Sequence, residues 1–384
     1  MKKVMYVLSL VVLASLILAA CGTAATPAPT EPPVVATEPP TPTEPPVPAW
    51  EAPEGAFVAY PVDTAPTLDG VADEAFWAKA EDFVIDVDGG FGGFETEVNL
   101  KAVYTADSVY FLVTYADPTE SWFRSPWQMQ EDGTWKQIKD PDDKGGDNNT
   151  VYEDKFAFIW PINNSIAKFE TLGCYTACHA GENPDLKPYG NKYTENEGEL
   201  GDIWHWKSVR NLNQIDDQYL DWTRFDPENA KEAGRKSDPK DSGGYKDNFG
   251  SMPDPADATK TVPDKTIPGF SSPSIDVTTG APGYILQSEA VPFDPTAFQP
   301  GDYIPGIVKS ELVGDRGNIS AGWKWENGVW TIEFGRLLDT GSEFDVQFTD
   351  LTASYYFGVA VFENAQVRHA TQTAPSFLVF APAE

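Results

Sequence analysis

The sequence predicts a mainly-β fold, an antiparallel β-sandwich with a few short helices and a long loop-rich insertion. Three observations lead there. Short runs alternate apolar with polar side chains, the period of a half-buried strand. Aromatic residues, 13% of 384, recur inside those runs, where they suit a pleated surface. Segments with helical periodicity are few.

The first residues stand apart from that domain. Lys2 and Lys3 precede an apolar run, Val4 to Ala20, that ends in Leu18-Ala19-Ala20-Cys21-Gly22. A charged start, an apolar stretch and small residues before a cysteine look like a bacterial lipoprotein signal. On that reading residues 1–20 are removed, Cys21 is lipidated, and the rest of the chain lies outside the cytoplasm, held to a bacterial membrane by its lipid. An uncleaved membrane anchor is the competing reading. Residues 21–50 are built largely from Thr, Pro, Glu, Ala and Val, with Thr37-Glu38-Pro39-Pro40 echoed by Thr43-Glu44-Pro45-Pro46. Such a segment buries no apolar surface and reads as an extended stalk.

Residues 51–384 are expected to fold as one domain. Thr67-Leu68-Asp69-Gly70-Val71 reads as a strand end with a turn, and Asp73 to Lys79, carrying Phe76 and Trp77, as a short helix over one end of a sheet. Val98–Tyr104 and Val109–Tyr115 alternate with period two around Thr105-Ala106-Asp107-Ser108, a β-hairpin. Phe156, Phe158 and Trp160 mark a further strand stopped by Pro161. Ile203-Trp204-His205-Trp206-Lys207 is a strand or short helix. From about 211 to 301 Pro, Gly, Asp and Lys dominate, and the segment reads as an excursion of loops. Asn327-Gly328 between aromatic strands is the strongest hairpin signal, since both residues tolerate the positive φ of a type I′ turn. Tyr355–Phe362 and Ser376–Phe380 supply two more strands.

Within this frame sits Gly173-Cys174-Tyr175-Thr176-Ala177-Cys178-His179. Two thiols followed by an imidazole are what covalent haem attachment requires: each thiol adds to a porphyrin vinyl group and the histidine meets the iron. The usual spacing places two residues between the cysteines; here there are three. A disulfide across so small a loop, a zinc site and a buried reduced pair compete with it. The zinc reading has few ligands to draw on, only His205, His369 and carboxylates besides the motif itself. One thiol for lipid and two for porphyrin account for all three cysteines.

Removing the signal leaves 25 basic against 59 acidic residues, a charge of −34. Such a surface repels nucleic acid and anionic lipid, and suits docking to a basic redox protein. A solvated acidic exterior explains it equally well.

Asp69-Gly70 with Trp77, the hairpin ending in Tyr115-Ala116-Asp117-Pro118-Thr119, the strand from Phe156, Trp204-His205-Trp206-Lys207 and the tail Phe357–Phe362 together resemble the ethylbenzene-dehydrogenase-type haem-binding domain. The resemblance implies a β-sandwich that holds one haem and passes electrons. In family subunits that partner molybdenum enzymes the haem is b-type, held between a Met and a Lys. This chain departs from that pattern, with Cys174, Cys178 and His179 where the Met is expected and Val367-Arg368-His369 near the Lys. His179 is then the proximal iron ligand and His369 the preferred distal one, with His205, Met129, Met252 or a lysine as rivals. Trp204, His205 and Trp206 are expected to wall the haem pocket.

The functional expectation is a lipid-anchored, extracytoplasmic electron carrier with one haem c and no bond chemistry of its own. Its partner would be a molybdenum oxidoreductase or another cytochrome. The rival is a carbohydrate-binding or other ligand-binding sandwich without a redox role, whose aromatics, Trp77 among them, stack on sugar rings and whose Asp-rich loops hold calcium.

Overall fold

Alternation decides the architecture. Along most of the long strands large apolar side chains recur at every second position, so the strands bury one face together and leave the other to whatever packs outside. The computed structural model describes residues 50–143, 148–178, 192–224 and 234–383. The signal segment, Cys21, most of the Pro-rich stalk and His179 lie outside the described residues.

Eleven strands carry the fold: β1 (Phe57–Pro61), β2 (Phe83–Val87), β3 (Thr96–Tyr104), β4 (Ser108–Ala116), β5 (Lys155–Pro161), β6 (Gly201–Lys207), β7 (Gln214–Leu220), β8 (Ile319–Glu326), β9 (Val329–Leu337), β10 (Tyr355–Phe362) and β11 (Ser376–Phe380). They pair in the order β1-β11-β10-β5-β6-β7-β8-β9-β4-β3, and β3 pairs back onto β1, closing a ring of ten with β2 appended to β3. Side chains from opposite sides of the ring meet inside, as in a sandwich. Phe111 of β4 touches Phe158 and Trp160 of β5 and Trp204 of β6, with ring centroids 5.7, 6.0 and 5.6 Å apart.

The mainly-β expectation holds, with amendments. β1 runs parallel to both β3 and β11, so the sheet is mixed where an antiparallel one is predicted. Both hairpins form in register, Val98 opposite Tyr115 and Trp325 opposite Trp330. Asn327 and Gly328 take φ of 54° and 81°, the type I′ turn. Residues 73–79 make successive turns instead of a helix. The segment is too short to propagate one, and tertiary bonds hold it.

Those bonds explain the Asp69-Gly70 and Trp77 signature. Glu333 on β9 is fully buried; one carboxylate oxygen accepts from the backbone N–H of Asp69 (3.3 Å) and Gly70 (2.9 Å), and the other from Trp77 Nε1 (3.0 Å). Trp77 is 2% exposed, so it has no face to offer a sugar ring. Trp77→Phe is expected to leave a buried carboxylate oxygen without its donor and to cost about 1–3 kcal/mol in denaturant unfolding.

The segment from 211 to 301 is more ordered than its composition suggests. It contains β7, and short strands at Ser242–Asp247, Gly250–Pro253, Thr261–Asp264, Phe270–Ser271, Ile285–Leu286 and Val291–Pro292. With the strands Trp127–Met129 and Trp135–Gln137 it encloses a second small core around Trp127, Trp135, Ile275, Ile285, Ile304 and Val308. Its aspartates build turns: Asp257, Asp264, Asp276 and Asp294 each accept both the backbone N–H and the hydroxyl of a threonine two residues on. Among the described residues no helix is long and apolar enough to cross a membrane.

Candidate functional site

The same alternation that fills the ring leaves an outer face on β10, β5 and β6, and there the side chains are unusual. Three rows cross the strands: Gly358, Ile159 and Ile203; Ala360, Ala157 and His205; Phe362, Lys155 and Lys207. Glycine and two alanines on adjacent strands make a low floor, and an open cleft lies above it.

The chain leaving β5 builds one wall. After Pro161 it passes through short helical turns at Ile162–Asn164, Phe169–Leu172 and Gly173–Thr176. Ile166, Phe169 and Ala177 are buried against Ile159, Ile203 and Leu220, with Cys174 and Cys178 packed beside them. Burying these apolar residues holds the cysteine motif on the sheet. Gly358 is required for that approach, because a Cβ there would lie 2.6 Å from Cys174 Sγ.

Cys174, Cys178, His205 and His369 all line this one cleft, with Phe362, Lys192 and Arg235. Residues from three separate parts of the chain, singled out by their chemistry, are thus brought together. No disulfide joins the two cysteines. Burial, with Cys178 adding to it, pushes the Cys174 thiol up to about 12. It therefore stays protonated at neutral pH, unlike a nucleophilic thiolate.

His205 is prepared as a ligand. It is 5% exposed, its Nδ1 pairs with Gln218 Oε1 at 3.2 Å, and its Nε2 is buried with no hydrogen-bond partner among the described residues. Burial, reinforced by Lys207 and Lys155, holds the imidazole well below its usual range. The ring is therefore neutral, with a proton on Nδ1 and a lone pair on Nε2. Gln218 is fixed in turn: its amide nitrogen donates to Asp216 Oδ2 at 3.4 Å, and Asp216 is clamped by Arg316 (2.5 and 3.0 Å) and by Lys207. Such outer partners orient metal-binding histidines.

His369 lies at the rim. Its ring packs on Phe362 with centroids 4.8 Å apart, and Phe362 also faces His205 at 5.7 Å.

The other expected site residues lie elsewhere. Trp204 and Trp206 occupy alternate positions on β6 and point into the ring, 1% and 0% exposed, so they cannot wall the cleft. Met252 is on the exposed ribbon Gly250–Pro253, and Met129 packs against the second core. Gly358, Ala157, Ala360 and Gln218 were not foreseen. The period of β5, β6 and β10 is the signal that would have found the floor.

The donor set suits a haem: two thiols could form thioethers, the buried Nε2 of His205 has no hydrogen-bond partner among the described residues and could meet an iron, and Lys192 and Arg235 could pair with carboxylate side groups.

A comparison with curated protein sequences finds no match. Solved structures that resemble the chain include a carbohydrate binding module family 9 (CBM9) from Caldicellulosiruptor kristjanssonii in complex with cellotriose, at 7% identity and a TM-score of 0.30. That match covers 85% of this chain and 95% of the other. The same module in complex with glucose matches at 6% identity and 0.30, over 85% and 97%. The family model described as ethylbenzene dehydrogenase matches residues 77–374, which contain the cysteine motif, His205, Gly358 and His369. The chain therefore belongs to the ethylbenzene dehydrogenase family.

Proposed function

We propose that this chain is a lipid-anchored, extracytoplasmic electron-transfer protein carrying one haem c. Cys174 and Cys178 form the thioethers, His179 is the proximal iron ligand, and Cys21 bears the lipid. The family supports a redox-related domain. The observation that carries the finer reading is the convergence of both thiols and two imidazoles on one largely apolar cleft. When bound, the haem supplies a one-electron Fe(III)/Fe(II) couple. The chain's own residues exclude water, orient the donors and set the electrostatics. Its partner is a second redox protein, a molybdenum oxidoreductase or another cytochrome, approached through an acidic surface.

The geometry favours His205 over His369 as the distal ligand. His205 is buried, neutral and anchored through Nδ1, with Nε2 left for iron. His369 is partly exposed and lies beyond Phe362.

Protein made in a host that matures c-type cytochromes is expected to keep its haem through denaturing electrophoresis and to show a low-spin spectrum. His205→Ala is expected to convert it to a high-spin form that binds added imidazole, whereas His369→Ala leaves the spin state unchanged. The opposite pair of results would move the ligand to His369. Colourless wild-type protein from that host would end the electron-carrier reading.

A further inference from the structure

Away from the cleft, four carboxylates meet inside the fold. Asp202 lies on β6, Asp217 on β7, Asp238 just beyond the strand Arg235–Ser237, and Asp345 in the segment after β9; they are 0%, 0%, 3% and 1% exposed. One oxygen each from Asp202, Asp217 and Asp345 lies within 4.8 Å of the others. Arg336 faces all three, its Nη1 3.1 Å from Asp202, 3.4 Å from Asp345 and 4.0 Å from Asp217.

Hydrogen-bond donors among the described residues serve only three of these eight oxygens. Asp202 Oδ2 accepts from Arg336 and from Val346 N (2.9 Å). Asp345 Oδ2 accepts from Asn318 Nδ2 (3.0 Å) and Thr340 Oγ1 (2.6 Å), and Asp217 Oδ1 from Gln218 N (3.1 Å). Asp202 Oδ1, Asp217 Oδ2, Asp345 Oδ1 and both oxygens of Asp238 are buried with no hydrogen-bond donor among the described residues. Asp238 is an independent pointer to a ligand: a fourth carboxylate, 3% exposed, it meets the side chain of Asp345, and neither of its oxygens has a donor among the described residues outside the carboxylates themselves. One guanidinium faces three of these four carboxylates, and uncompensated buried charge is costly.

We infer that Asp202, Asp217, Asp238 and Asp345 form an internal site for one calcium ion. The donors are all oxygen and anionic, with no nitrogen or sulfur, which selects a hard divalent cation. The oxygens of Asp202, Asp217 and Asp345, up to 4.8 Å apart, can all touch one ion at the about 2.3–2.6 Å of calcium–oxygen bonds, whereas magnesium requires a tighter shell; Asp238 stands beside Asp345. The ion would tie β6 and β7 to the segment after β9, a structural role separate from the cysteine-lined cleft. The competing arrangement is protons shared among the carboxylates.

The full chain, stripped with EGTA and titrated with Ca²⁺, is expected to bind one ion per chain by calorimetry. At a hundredfold excess over Kd its Tm is expected to rise by about 5 °C. Asp217→Asn and Asp238→Asn keep size but remove charge, and each is expected to weaken Ca²⁺ binding tenfold or more. Because both relieve crowding, their stripped forms are expected to melt at or above the stripped wild type, which separates lost binding from lost folding. Wild-type protein with no titratable heat and the same Tm with and without Ca²⁺ would overturn the site in favour of shared protons.

Discussion

The double variant C174S/C178S, matured alongside wild type, is expected to fold and to carry no covalent haem. The effect on haem stain is all or none, falling from one haem per chain to nothing. The cost in stability is small because both cysteines pack only against the satellite cluster on the outer face, not in the ring's core. Each single variant keeps one thioether and is expected to retain stain with a shifted absorption maximum in alkaline pyridine, since an unreacted vinyl group remains. Denaturing electrophoresis with haem staining and a pyridine haemochrome spectrum read both results. Far-UV circular dichroism of C174S/C178S, unchanged from wild type, would show that attachment and not folding was lost. A double variant that stains like wild type would remove the thiols from the proposal.

Arg336→Met is expected to have the largest effect on stability. Its guanidinium bridges Asp202 and Asp345, faces Asp217, donates to the carbonyl of Val346 and lies 4.8 Å from the ring of Trp204. Removing one partner from a buried charge cluster leaves the rest unpaired and typically costs about 3–5 kcal/mol. Urea unfolding in buffer containing EGTA isolates this contribution from any bound cation. Arg336→Lys keeps the charge but not the fork that reaches several acceptors at once, and its loss is expected to be smaller. If Arg336→Met unfolds at the wild-type urea midpoint, the carboxylates are not held by this residue.

The long hairpins were legible in the sequence because alternation and an Asn-Gly turn act locally. The cysteine motif was legible for the same reason, since its chemistry is written within seven consecutive residues. Its surroundings were not. The floor of the cleft depends on Gly358, Ala360 and Ala157 coming side by side, and that is a fact of register between β10 and β5. Trp204, His205 and Trp206 were expected to act together, yet a strand sends neighbours to opposite faces, so the tryptophans fill the core and the histidine alone reaches the cleft. The region 211–301 read as loops because its strands are short and rich in Gly, Pro and Asp, and two of them, Ser242–Asp247 and Ile285–Leu286, pair with Ile307–Val313 beyond the segment. The buried aspartates were hidden among 59 acidic residues, where composition cannot tell a solvated carboxylate from an enclosed one.

The strand β1, running alongside both β3 and β11, sets a limit on how the polypeptide reaches its final form. The seam of the ring joins the first strand of the domain to β11, so closure waits until β11 has been synthesised. Until then β1 and β10 present unpaired backbone to any passing strand, a hazard for association in a chain dominated by distant contacts. Losing even the final strand would therefore open the cylinder along its whole length instead of merely shortening it.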